Sequence, residues 1–163
     1  MRVAITGKGG VGKTTIAALL IRSLASGGEK VLAVDCDPSP NLKDVFGVKE
    51  EIVPISNMRE LIYERMDIKN NEPTFYKLNP ALDDIPDRFV KKIGTINLMV
   101  MGTVESGGRG CVCPESAFLK ALLSKMIVWG SEDLVLDMEA GIEHLGRKTA
   151  ESVENFIVVV EPS

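Results

Sequence analysis

The stretch GKGGVGKTT, Gly7 to Thr15, decides how the rest of the chain is read. It fits the pattern G-x-x-x-x-G-K-[ST], with Gly7, Gly12, Lys13 and Thr14 at the fixed positions. Just before it, Val3-Ala4-Ile5 is a short run that reads as a buried strand. Just after it, Ile16, Leu19, Leu20 and Leu24 recur at helical spacing. Strand, glycine loop and helix form the context this pattern requires. The glycines allow a tight backbone path on which successive N–H groups face one anionic group. The helix start adds unpaired N–H groups and the positive end of its dipole. Residues Gly7, Lys8, Gly9, Gly10, Val11, Gly12, Lys13, Thr14 and Thr15 are therefore the candidate phosphate cradle. Lys13 brings a charge to the terminal phosphates, and the Thr14 hydroxyl suits a magnesium ion. As a plain glycine turn, the same stretch would only link a strand to a helix.

Composition sets the frame. The chain has 163 residues, 45% hydrophobic and 26% charged, with a formal net charge of −4. That suits one globular domain over 1–163, burying roughly two-thirds of the surface its unfolded chain exposes. The acidic balance argues against a general nucleic-acid surface. No apolar run is long enough for a membrane span, and no signal peptide precedes the first strand, so the expectation is a cytoplasmic protein with neither nucleic acid nor membrane as a partner. Three cysteines in such a chain point to metal or redox chemistry before structural disulfides.

Gly27-Gly28 stops the first helix. Lys30 to Asp35 (KVLAVD) reads as a second buried strand, and the short crossover from the first implies that the two pair in parallel. Asp35-Cys36-Asp37-Pro38 then leaves the sheet at its carboxyl end, where ligands of parallel sheets bind. Asp37 either orients an attacking water or caps the following turn. Asn41, in the same loop, is a candidate contact to phosphate or water. Cys36 reads as a small packed residue or a neighbour of this loop more readily than as a ligand. From Lys43 to Asn97 little is legible. Ser56 or Asn57 is placed to cap a helix over Met58 to Met66, and Lys69 to Pro86 reads as a proline-interrupted excursion. Ile96 to Met101 is a third strand.

Gly102 to Pro114 (GTVESGGRGCVCP) is a glycine-rich loop ending in Cys111-Val112-Cys113. Two thiols at this spacing can chelate one metal ion, but they supply only two of the four ligands that a tetrahedral thiolate site takes. A two-fold dimer supplies the other two by symmetry; otherwise these are two reduced loop cysteines. Glu115 to Trp129 carries an amphipathic helix pattern. Asp133 to Asp137 (DLVLD) is a fourth strand ending in a carboxylate, and Asp137 is the candidate to hold magnesium through water. Gly141, in the loop that follows, is placed to offer its backbone to a terminal phosphate. Glu143 to Val153 reads as a helix with His144, the single histidine, near its start. Phe156 to Val160 is a fifth strand, whose open edge would invite self-association.

Lys8 makes the loop resemble the deviant Walker A motif of the MinD/ParA and nitrogenase iron protein class of ATPases. That resemblance implies a lysine reaching across a face-to-face dimer to the partner's nucleotide. Asp35-Cys36-Asp37-Pro38 resembles switch I of the same class, which implies that Asp37 is the carboxylate that orients the attacking water. Together, GKGGVGKTT, VDCDP, the Cys111-Val112-Cys113 loop and DMEAGIEHLGRKTAESV resemble the accessory ATPases of carbon monoxide dehydrogenase, over essentially the whole chain. The resemblance implies an α/β, three-layer P-loop NTPase fold with a mainly parallel central sheet, lacking the family's C-terminal strands. It also implies ATP/ADP with Mg2+, catalytic roles for Lys8, Lys13 and Asp37, and a homodimer in the nucleotide- or metal-bound state. Ni2+ or Zn2+ is then shared by Cys111 and Cys113 of two subunits, and carbon monoxide dehydrogenase is the client. Iron-protein relatives differ in spacing their cluster cysteines farther apart. Competing readings are an iron–sulfur electron-transfer ATPase, a MinD/ParA-like positioning ATPase and a phosphate-binding relic without turnover.

Overall fold

The computed structural model describes residues 1–69, 75–103, 113–139 and 153–161. Strand β1 (Arg2–Gly7) runs into the glycine loop and helix α1 (Lys13–Ser26), followed by β2 (Val31–Asp35). Next come the short helix α2 (Leu42–Val45), a 3-10 turn (Ile55–Asn57), α3 (Arg59–Arg65) and α4 (Ile85–Phe89). Strands β3 (Lys91–Ile93) and β4 (Ile96–Val100), helix α5 (Pro114–Trp129), β5 (Asp133–Asp137) and β6 (Asn155–Val159) complete it. The sheet order is β3-β4-β2-β5-β1-β6, parallel throughout except for the β3–β4 hairpin; β1 and β2 are parallel as expected but do not pair, because β5 inserts between them.

Strand side chains alternate between two faces, and each face has its own helices. Val3, Ile5, Val31, Ala33, Leu98 and Val135 meet Ala17, Ala18 and Ile21 of α1. Ala4, Leu32, Val34, Met99, Leu134 and Leu136 meet Phe118, Leu122 and Ile127 of α5, with Ile62 of α3 beside them. The result is the three-layer arrangement expected from the sequence. The central strands are buried on both faces, which is why they read as continuous apolar runs. A fully buried side chain such as Phe118 or Ile21 contributes roughly 1.5–3 kcal/mol by leaving water.

Several boundaries move. The second strand starts at Val31, the third ends at Val100, and the last runs Asn155–Val159 rather than Phe156–Val160. The first helix starts earlier, at Lys13, because the glycine loop feeds it directly. The helix expected over Met58 to Met66 spans Arg59–Arg65, and neither Ser56 nor Asn57 caps it through its side chain. Strand β3 is an addition, so the described residues hold six strands rather than five. The helix expected over Glu143 to Val153 lies outside the described residues, apart from Val153, which is buried. Strand β6 forms an open edge, with Val158 62% exposed and Val160 beyond it 75% exposed.

Candidate functional site

The glycine loop sits at the carboxyl end of β1, which lies between β5 and the edge strand β6. Gly10 and Gly12 take φ of +82° and +94°, which side chains rarely adopt. Gly7 serves another purpose. A Cβ there would lie 2.3 Å from the Val159 carbonyl oxygen, so Gly7 lets β6 pair with β1. Gly12, left-handed, precedes α1; no side chain caps the helix, and its first turn has no acidic residue. Three or four N–H groups and the dipole's positive end thus face the loop without a competing carboxylate. Lys13 is nearly buried and its Nζ donates to the Lys8 carbonyl at 3.2 Å. That bond folds the lysine back over the loop, where its charge meets whatever the N–H groups hold. Lys8 and Thr15 are exposed, while Val11 and Thr14 are partly buried.

Asp137 ends β5 beside this loop. It is 1% exposed, and among the described residues neither carboxylate oxygen has a hydrogen-bond partner. Burial raises its pKa; the Thr14 hydroxyl and Lys13 oppose that shift without completing a hydrogen bond to it, and Asp37 adds to it. A buried carboxylate without a partner is costly. A hard divalent cation relieves that cost, because it takes oxygen ligands and supplies opposite charge. Asp137 with Thr14 therefore fits magnesium. The main chain fixes this carboxylate in place: the Cys36 N–H donates to the Asp137 carbonyl and the Met138 N–H to the Ile5 carbonyl, both at 2.9 Å.

The loop after β2 is organised by a residue to which the sequence reading gave no role. Asp35 is fully buried, and its carboxylate accepts from the N–H of Asp37 at 3.2 Å and of Leu42 at 2.9 Å. Burial outweighs these two bonds and raises its pKa to about 6. The signal for it was the first Asp of Asp35-Cys36-Asp37-Pro38, whose backbone partners the sequence does not display. Asp37 is partly buried, and its carboxylate accepts from the Ser39 N–H at 2.9 Å. Asn41 is exposed and donates to the Ser39 carbonyl at 2.7 Å. Cys36 is buried, and burial beside Asp35, Asp137 and Asp37 pushes its thiol pKa up, which keeps it a protonated packing residue.

Lys13, Thr14, Asp37 and Asp137 thus share one end of the sheet. Cys113 lies partly exposed immediately before α5. Cys111 and Gly141 lie outside the described residues. Among the described residues no group of three or more His, Cys, Asp or Glu is placed to hold a metal ion, and no helix is long and apolar enough to cross a membrane. A cleft of about 600 Å³ lies at the opposite end, lined by Lys30, Leu32, Val90, Lys92, Met126 and Glu132 among others. It borders the amino ends of the parallel strands, away from the glycine loop.

Comparison with known proteins agrees with this geometry. Residues 3–161 match the CobQ/CobB/MinD/ParA nucleotide binding domain. An uncharacterized ATP-binding protein of Methanocaldococcus jannaschii is 52% identical over 164 residues, covering 100% of this chain and 64% of the relative. The carbon monoxide dehydrogenase accessory protein CooC of Rhodospirillum rubrum is 45% identical over 166 residues, covering 99% of this chain and 63% of that protein. The chain therefore spans just under two-thirds of the length of these relatives. Among solved structures, the septum site-determining protein MinD of Pyrococcus horikoshii, complexed with Mg-ADP, superposes with a TM-score of 0.58. It is 24% identical and covers 99% of this chain and 58% of that one. The glycine loop, the buried Asp137 and the parallel sheet are thus those of a chain that belongs to the CobQ/CobB/MinD/ParA nucleotide-binding domain family.

Proposed function

We propose that residues 1–163 form a single nucleotide-binding domain that hydrolyses ATP in the cytoplasm and serves the maturation of carbon monoxide dehydrogenase by delivering nickel. The observation that carries the nucleotide reading is Asp137, buried with both oxygens unpaired beside Thr14 and Lys13. The client is suggested by the similarity to the accessory protein CooC. In this reading the N–H groups of Gly9 to Thr15 and the charge of Lys13 hold the phosphates. Asp137 and Thr14 hold magnesium, which when bound neutralises charge on the phosphate oxygens. Asp37 gives up its Ser39 contact to orient the attacking water, and Asn41 and Gly141 contact the terminal phosphate. Lys8, exposed on the loop, reaches the partner's nucleotide in a homodimer. Cys111 and Cys113 of two subunits form a four-thiolate site for nickel or zinc, opened and closed by the nucleotide state.

The test is a nickel and zinc titration of the reduced protein with light scattering for mass. One metal per two chains, with the mass doubling, is expected. Cys111→Ser with Cys113→Ser should abolish metal binding and leave nucleotide binding intact. Unchanged metal stoichiometry in the double variant, or a monomer at every metal concentration, would overturn the shared thiolate site.

A further inference from the structure

We infer that Thr6 is a positioning residue for the carboxylate of Asp137: its hydroxyl anchors the segment that leaves β5 and so sets that carboxylate against the glycine loop. The inference rests on the reading of Asp137 as the magnesium carboxylate.

Among the described residues, neither carboxylate oxygen of Asp137 has a hydrogen-bond partner. The place of this carboxylate is therefore set by the main chain that carries it. Up to Asp137 that chain belongs to the sheet, and Ile5 opposite Asp137 is the last pair of the β1–β5 register. Strand β1 runs two residues farther with β6 as its partner, through Thr6 with Val158 and Gly7 with Val159. The segment after Asp137 thus leaves the sheet beside a strand that continues without it. Two main-chain bonds still reach it, from the Met138 N–H to the Ile5 carbonyl and from the Cys36 N–H to the Asp137 carbonyl. Residues of any type would make these two. The third bond depends on a side chain: the Thr6 hydroxyl donates to the Glu139 carbonyl at 3.0 Å.

Thr6 is 7% exposed and stands immediately before Gly7, where the phosphate cradle begins. Alternation along the strands puts its side chain on the α5 face with Ala4, and that of Asp137 on the α1 face with Val135. The hydroxyl does not bond the carboxylate; it holds the chain from the other side of the sheet. Packing alone does not call for it. Valine has nearly the same shape and suits a buried strand at least as well, and a buried hydroxyl is costly unless it is bonded. A metal ligand has to be held to within about 0.5 Å, and it is the groups behind the ligands that hold it.

The test is calorimetric titration of ADP, with and without magnesium, into the wild type, Thr6→Val and Thr6→Ser, with Tm measured for each. Thr6→Val removes the hydroxyl at nearly constant shape. It should leave ADP affinity without magnesium unchanged and cut the gain from magnesium by about fivefold, the worth of one hydrogen bond. Thr6→Ser loses a methyl group but keeps the hydroxyl, so its Tm should fall while the magnesium gain stays. An equal gain in the wild type and Thr6→Val would overturn the inference, as would a gain that follows Tm across the three proteins. Weaker ADP binding by Thr6→Val without magnesium would overturn it too, because the effect would then lie on the glycine loop. Thr6→Ala decides the matter if Thr6→Val does not fold. No magnesium gain in the wild type would instead sink the reading of Asp137, and the role of Thr6 with it.

Discussion

The two ends of strand β5 hold the same residue type and treat it in opposite ways. At the amino end, Asp133 meets the Met1 amino group at 2.5 Å. Its neighbours are charge-paired too: Arg2 pairs with Glu154 at 3.2 Å, although its buried Nε has no partner among the described residues, and the Asn97 amide donates to both Glu132 oxygens at 3.2 and 3.0 Å. At the carboxyl end, among the described residues, Asp137 is buried with neither oxygen paired, and Asp35 is buried with backbone N–H donors but no cation. One strand, at positions four residues apart, carries both solutions. The difference separates scaffold from site. At the amino end the charges are neutralised locally, and at the carboxyl end, where the proposed site lies, the fold accepts the cost of leaving carboxylates without a cation among the described residues.

The largest way to sharpen this contrast is through pH. The pKa of Asp35 is raised to about 6 in the folded state, above its ordinary value of 3.8. A carboxyl raised in this way stabilises the fold fully below its unfolded pKa and loses that contribution as pH rises through the folded one. Compared with Asp35→Asn, the wild type should therefore gain about 2–3 kcal/mol of stability between about pH 8 and about pH 4. Urea unfolding of both proteins across that range checks it. A difference that stays flat with pH would mean that the burial of Asp35 is relieved in solution. The raised pKa of Asp137 acts in the same direction.

A smaller effect is expected from Asp137→Asn. Removing a buried, unpaired charge should raise stability by about 1–2 kcal/mol, seen as a higher Tm. A lower Tm would mean that Asp137 is paired in solution after all. The smallest effect belongs to the other end of the strand. Asp133→Asn should cost under about 1 kcal/mol, the usual worth of a solvent-exposed pair, and leave nucleotide affinity unchanged. A loss of nucleotide binding there would erase the distinction between the two ends.

The same contrast explains what the sequence disclosed. Strands β1, β2 and β5 were readable because burial on both faces demands apolar runs, and DLVLD matches β5 residue for residue. The glycine loop was readable because its φ values demand glycine at Gly10 and Gly12. Strand β3 was not: Lys91-Lys92-Ile93 has two lysines on a three-residue edge, a composition that guards an edge rather than announcing a strand. The role of Asp35 was also hidden, because its partners are backbone N–H groups whose identity leaves no mark. Gly7 matched its motif, yet its closest constraint is the carbonyl of Val159, which only the register of β6 discloses. The thiolate pair was legible as spacing, but its geometry depends on Cys111, outside the described residues.

The measurement that bears most directly on this account is calorimetric titration of ADP, with and without magnesium, into the wild type and Asp137→Asn. Magnesium should tighten ADP binding to the wild type and have no effect on Asp137→Asn, with the phosphate cradle still binding ADP in both. An equal magnesium effect in the two proteins would contradict the assignment of Asp137 as the carboxylate that holds the ion.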